Sequence, residues 1–243
     1  MIEDAVIYAA AATLYAIAAI VLAVLTRRQP ARLRRYCYPF VGIVGLSAIA
    51  TALVALGVGE ITVGAVELVI PQTIDDLVGY TFVFGFAAFA AGASWKLVGT
   101  VVVTFAIMRM SYQLADAFEG VLGLVGIGVI VGGYLFLVYL FFGPIAAVAD
   151  RQADTRRLLF WKFRNLALFA FGMLIVWAML SLGGAFDAFT TTVTLEYIDI
   201  VLRIGFAGFL IGNVSALDTE SEPIDSLGGH TPPPSKSVGQ PGD

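Results

Sequence analysis

The sequence predicts an all-α membrane protein, a bundle of seven transmembrane helices with its N-terminus outside and its C-terminus cytoplasmic. Three observations predict it. The 243 residues are 59% hydrophobic and 13% charged, with a mean hydropathy of +0.91, whereas a soluble globule is about 45–50% apolar. The apolar residues fall into seven runs long enough to cross a bilayer at about 1.5 Å per helical residue. Most of the 14 Lys and Arg collect in two loops that fall on the same side, the mark of cytoplasmic connections, and the opposite loops hold none.

The first span, residues 5–26, has Glu3 and Asp4 ahead of it and Arg27, Arg28, Arg32, Arg34 and Arg35 behind it. A secretory signal peptide carries the reverse charge order. The basic cluster stays cytoplasmic, so the N-terminus lies outside. The second span, 38–57, runs outward into a connection through Gly57, Gly59, Glu60, Gly64 and Glu67. Pro71 suits the first turn of the third span, 71–94. That span carries Asp75 and Asp76 about two turns into the bilayer, then Phe82, Phe84, Phe86 and Phe89, expected as packing or lipid-facing residues. Trp95 and Lys96 mark the inner interface.

The fourth span, 97–114, holds Arg109 in its last third, with Asp116 and Glu119 as expected partners at the outer boundary. The fifth, 121–142, includes Gly128 and Gly132, a small-xxx-small spacing that permits close helix contact. Beyond Pro144 comes a second charged loop holding Asp150, Arg151, Asp154, Arg156 and Arg157, with Lys162 and Arg164 soon after; the sixth span covers 158–182. Gly183, Gly184 and Asp187 make a short outer turn before the seventh span, 192–213. Residues 1–215 form one bundle domain. Residues 216–243, rich in Asp, Glu, Ser, Gly and Pro, read as a disordered acidic cytoplasmic tail.

The seventh span places two opposite charges, Asp199 and Arg203, near the centre of the bilayer. At i and i+4 they share a helix face. Each costs about 2.5–3.5 kcal/mol to insert there, so each is expected to face the bundle interior and find a partner. Cys37 is the only cysteine and His230, in the tail, the only histidine, which excludes a disulfide framework, thiolate or His-ligated metals and His-based acid–base catalysis within the membrane. No nucleophile–base pair points to an enzyme, and no basic face is available for nucleic acid.

Four stretches carry a resemblance. Tyr139-Leu-Phe-Phe-Gly143 ends the fifth span, Arg164-Asn165 opens the sixth, Ser47-Ala-Ile-Ala-Thr-Ala-Leu53 lies in the second, and Asp199-x-x-x-Arg203-Ile-Gly-Phe206 lies in the seventh. In order, over essentially all of residues 1–215, they resemble the archaeal microbial rhodopsins. The resemblance implies a bundle enclosing retinal, bound as a Schiff base to a lysine of the seventh helix, with light driving ion transport or signalling.

The chain departs from that pattern where the chemistry sits. Asp199 matches the family's aspartate, but Arg203 occupies the lysine position. A guanidinium with a pKa above ~12 neither loses its proton nor condenses usefully with an aldehyde, so no covalent chromophore is expected. Lys96 lies at the inner interface, Lys162 in the first turn of the sixth span, and Lys236 in the tail. In the third helix the pumps' arginine, aspartate and tryptophan correspond to Thr73, Asp76 and Leu77, and their proton-donating carboxylate to Ala87. In the sixth, the pocket's tryptophan, tyrosine, proline and tryptophan correspond to Phe171, Leu174, Ile175 and Ala178. Trp177 is adjacent to the last, and a ~100° turn per residue directs it elsewhere unless a local bulge realigns it into the pocket.

The expected remnant pocket is therefore Arg203, Asp76, Asp199, Phe171 and Trp177. Asp75 is expected to face water or a helix boundary, and Arg109 the membrane interface. The charges read either as a cluster that pins the helices, with Arg203 standing in for a protonated Schiff base, or as an anchor for a polar head group or a proton-coupled switch. Three functions stay open for this multi-pass protein of the cell membrane. One is a non-pumping regulatory, sensory or interaction protein with a membrane-protein partner or a second copy. Another is a noncovalent binder of retinal or a carotenoid. The third is a retinal photoreceptor or light-driven ion pump.

Overall fold

The computed structural model describes residues 4–63, 66–118 and 120–218. The tail expected beyond residue 218, and Glu119 as a partner of Arg109, lie outside the described residues.

Seven long helices form the bundle: α1 (Asp4–Arg28), α2 (Ala31–Ala55), α3 (Ile70–Ala90), α4 (Trp95–Ala117), α5 (Val121–Phe142), α7 (Asp154–Leu182) and α8 (Ala188–Asn213). A short α6 (Pro144–Ala149) follows α5 on the cytoplasmic side, and a 3-10 turn (Val214–Leu217) follows α8. Helix α1 packs on α2 and α8, α3 on α2, α4 and α7, and α5 on α4 and α7, so the bundle closes on itself. Six of the long helices are apolar enough to span a membrane by length and composition alone. The seventh, α4, is 23 residues long and packs between α3 and α5.

Several boundaries differ from the sequence reading. Only Gln29 and Pro30 separate α1 from α2, and Arg32, Arg34 and Arg35 belong to the first turns of α2 rather than to a loop. Pro30 supplies an extended N-cap, and long arginine side chains reach water from a helix that begins at the interface. Helix α7 likewise starts at Asp154. At the other end, Leu217 is buried and Asp218 forms an ion pair with Arg32, so the ordered chain passes residue 215.

The outer connection between α2 and α3 is an antiparallel hairpin of β1 (Glu60–Val63) and β2 (Val66–Val69), with Glu60 opposite Val69 and Ile61 opposite Leu68. β-branched residues favour the extended backbone. Gly59 enters the hairpin at φ +91°, where a Cβ would lie 2.7 Å from Pro71 Cδ, so only glycine lets the strand lead so tightly into α3.

Gly128 and Gly132 have no neighbour within 4 Å and make no helix contact. The close approach of α4 and α5 occurs at Gly126, where a Cβ would stand 2.8 Å from the Ser111 carbonyl oxygen, and at Gly133 against Met108. The glycines that matter face α4, and the spacing of four marks a different face.

Below Arg203 the cytoplasmic half is closed by aromatic rings. Phe40 meets Phe86 and Phe82 at centroid distances of 4.9 and 5.0 Å, and Phe163 meets Phe206 at 4.9 Å. Such edge-on and tilted contacts are the favoured aromatic geometries. Phe82, Phe84, Phe86 and Phe89 are thus packing residues. Arg156 seals the inner end of α3 by donating from Nε to the Ala90 carbonyl at 2.9 Å.

Candidate functional site: a buried charge cluster beneath an outer cavity

Helices α2, α3, α4 and α8 bring their polar residues to one level of the outer half. Arg203 Nη1 donates to Asp75 Oδ2 and, at 3.1 Å, to Ser47 Oγ. Its Nη2 donates to Asp76 Oδ1 at 2.7 Å and to Asp199 Oδ2 at 3.4 Å. Ser47 in turn lies 2.9 Å from Asp75 Oδ1 as donor, and Tyr80 donates its hydroxyl to Asp199 Oδ1. Arg203, Asp75 and Asp199 are each less than 5% exposed. At such depth each charge must be both paired and hydrogen-bonded, because desolvation otherwise outweighs the Coulombic gain.

The local sequence explains the fit. Adjacent Asp75 and Asp76 present carboxylates to the two prongs of one planar fork, a geometry that guanidinium offers and ammonium does not. Gly79, one turn further, leaves room for Arg203: a Cβ there would lie 3.4 Å from its Nε. The rings of Tyr80 and Tyr15 lie 5.4 and 5.9 Å from the guanidinium carbon, within cation–π range.

Asp75 is thereby corrected. It neither faces water nor a boundary, because α2 supplies Ser47 on its side of α3. Arg109 is corrected too. Instead of staying at the interface it donates from Nε to Asp76 Oδ2 at 3.0 Å. Where the rhodopsin pattern has an arginine in the third helix this chain has Thr73, and α4 delivers a guanidinium to the same carboxylate. Sequence reasoning also passed over Tyr80, although it stands four residues after Asp76 on the same helix face, and Glu196, which is 7% exposed.

Above the cluster lies a cavity of about 400 Å³, within the range of small-molecule sites. It extends from Asp199, Tyr80 and Phe171 to Val69, Gln72 and Thr191 at the outer end. Phe171, Leu174, Ile175 and Ala178 all line it, as the sequence register anticipates. Trp177 lines it as well, without the bulge expected to be needed. Helix α7 is regular there, and the large indole spans the 100° offset and stacks on Tyr112 of α4 at 6.4 Å. Of the five expected pocket residues, Asp76, Asp199, Phe171 and Trp177 line this cavity. Arg203 lies beside it, its Nη groups turned to carboxylates. Among the described residues no lysine lines it, and Lys96 and Lys162 are exposed toward the cytoplasmic ends of α4 and α7, so the described lining offers no primary amine for a Schiff-base attachment. Among the described residues no cluster of His, Cys, Asp or Glu has the makings of a metal site.

No family model matches the chain. It is 30% identical to sensory rhodopsin-1 of Halobacterium sp. (strain SG1) over 178 residues, which cover 69% of this chain and 68% of that one. The chain belongs to the archaeal microbial rhodopsin family. Sensory rhodopsin-2 of Natronomonas pharaonis is 28% identical over 200 residues, 81% of this chain and 82% of the relative. The fold of this rhodopsin-family chain also matches the crystal structure of cyanorhodopsin from Tolypothrix sp. NIES-4075, with a TM-score of 0.80 at 17% identity over 91% of this chain and 100% of that one. The thermophilic rhodopsin from Rubrobacter xylanophilus matches with a TM-score of 0.76 at 18% identity, over 88% of this chain and 97% of that one. A multi-pass membrane protein with a seven-helix rhodopsin bundle is therefore established.

Proposed function

We propose that this rhodopsin-family protein attaches no retinal and pumps no ion, and acts as a sensory or regulatory membrane protein through contacts with a membrane partner. One observation carries the reading. Arg203 stands where the family's motif has lysine, and its fork is engaged by Asp75, Asp76 and Asp199. The cation that the surrounding carboxylates require is thus built into the chain. A phenylalanine wall below Arg203, with Ala87 where the pumps' proton donor falls, supports the absence of pumping. The buried carboxyls among the described residues all lie in the outer cluster. The sensory rhodopsins among its relatives favour a signalling role over a transport one, and no constellation for enzyme chemistry accompanies the cluster.

A second reading rests on the cavity. Its volume and its aromatic lining by Phe105, Phe171 and Trp177 suit a noncovalently held retinal or carotenoid.

The deciding experiment is a visible spectrum of purified wild type and Arg203→Lys after addition of all-trans retinal. The proposal expects no red-shifted band in wild type. A band in Arg203→Lys alone indicates an intact cavity that lost only its attachment point and favours the noncovalent binder. No band in either favours the contact-mediated role. A red-shifted, borohydride-sensitive band in wild type overturns the proposal and restores the photoreceptor or pump.

A further inference from the structure

The charge cluster does not balance. Asp75, Asp76, Asp199 and Glu196 are buried carboxyls, and Arg203 and Arg109 are the guanidiniums that meet them. Four carboxylates against two guanidiniums leave two negative charges in a low-dielectric interior, which must be offset by bound protons or cations. The hydrogen bonds single out one of the groups that must carry such an offset. Asp75, Asp76 and Asp199 each receive a guanidinium N–H, whereas among the described residues Glu196 receives none, and its Oε2 is buried without a hydrogen-bond partner there. Glu196 stands on α8, three residues before Asp199 and seven before Arg203, on the same face.

A small void lies against it, of about 10 Å³, roughly the space for one water molecule. Its lining includes Glu196, Asp75, Asp199, Arg203, Tyr8 and Gln72. Tyr8, Gln72 and Asp199 also line the outer cavity, so the void and the cavity share a wall that leads toward the external face. Beneath Arg203 the phenylalanine wall closes the opposite route. Asp199 and Arg203 from its own helix, Asp75 from α3 and Tyr8 from α1 line the void with Glu196, and Asp76 of α3 and Tyr15 of α1 are near enough to interact with it electrostatically. Helix α2 contributes Ala50, Thr51 and Val54 to the void, none of them titratable.

We infer that Glu196 is a proton-binding site loaded and emptied from the outer face alone. A proton taken from external water bonds to Oε2 and makes a neutral carboxyl, which removes one negative charge from the cluster. Its return to water leaves a carboxylate beside Asp199, one turn from the hydrogen bonds that tie α8 to Tyr80 and to α3. External pH is in this way written into the hold of α3 on α8, with no net passage of a proton. The inference is independent of whether any polyene occupies the cavity.

Infrared spectroscopy of the full chain in liposomes tests it, with external pH varied from about pH 4 to about pH 9, a range that brackets the ordinary glutamate value. The expected result is a protonated-carboxyl C=O band that disappears as external pH rises, is lost in Glu196→Gln and persists at a shifted frequency in Glu196→Asp. The amide bands report the helical fold in each variant. A wild type without a titrating carboxyl band overturns the inference, as does a band unchanged in Glu196→Gln. So does a band that follows internal pH, or one removed by sodium at constant pH.

Discussion

Arg203 Nη2 of α8 donates to Asp76 Oδ1 of α3 at 2.7 Å, while Arg109 Nε of α4 donates to the other oxygen of the same carboxylate at 3.0 Å. One aspartate therefore joins three helices through two guanidiniums. The arrangement satisfies charges that the bilayer interior would otherwise penalise, and it makes Arg203 structural as well as positional.

Removing that cation should be costly. Arg203→Ala leaves Asp75 and Asp199 buried without a guanidinium, and truncating one member of a buried charge pair typically costs about 3–5 kcal/mol. Unfolding of the variant in mixed micelles should register a loss of this size. A loss under about 1 kcal/mol would mean that the carboxylates are satisfied without Arg203.

Ser47 bridges Asp75 and Arg203. Ser47→Ala keeps the volume and removes a hydrogen bond to a charged group, so a destabilisation of about 1.5–3 kcal/mol is expected. A double-mutant cycle with Asp75→Asn should show coupling between the two sites, and strict additivity would contradict the bridge.

The two kinds of glycine on α5 separate cleanly. Gly126→Ala places a methyl against the Ser111 carbonyl and Ala115, and overpacking of this kind costs about 1–3 kcal/mol. Gly128→Ala adds the same methyl to open space and should be neutral or stabilising, by up to about 1 kcal/mol, because alanine is the better helix former. Comparable unfolding midpoints for the two variants would contradict the α4–α5 packing.

Asp187 caps α8 by accepting from the Thr190 amide at 2.7 Å. Hydrogen bonds from the Thr190 side chain and then from its amide, both made to the charged form, hold its carboxyl below the ordinary value of 3.8. The sign follows: the cap's contribution is complete above pH 3.8 and disappears as pH falls through the lower folded value. Hydrogen exchange at the Thr190 amide should accelerate over that acid range in wild type. In Asp187→Ala it should be fast throughout, and a protected amide in that variant would refute the cap.

Much of the site was legible from spacing within single helices. Asp199 and Arg203 at i and i+4 announce a shared inward face, whereas Asp76 and Phe171 follow from the resemblance to the rhodopsin family, whose motifs align along the third and sixth spans. Asp75 and Arg109 sit where no single-helix reading puts them, and Trp177 enters the pocket without a bulge, because each answers to a neighbouring helix. Ser47 on α2 draws Asp75 inward, Asp76 on α3 draws Arg109 away from the interface, and Tyr112 on α4 gives Trp177 a stacking partner. The α2–α3 hairpin was missed because its strands are four residues each and sit among glycines that read as loop.

The sequence by itself determined the seven-helix membrane bundle, its orientation and the presence of an arginine where its family's motif has lysine. Those properties depend on local quantities: the length of apolar runs, the side on which positive charge collects, and the identity of one residue. The tertiary structure alone decided which carboxylates the arginine meets, that a second guanidinium joins them, that Glu196 Oε2 finds no hydrogen-bond partner among the described residues, and that a cavity persists above the cluster. Pairing, burial and empty volume arise only when side chains from separate helices converge, and no periodicity along a single helix encodes the neighbour it will face.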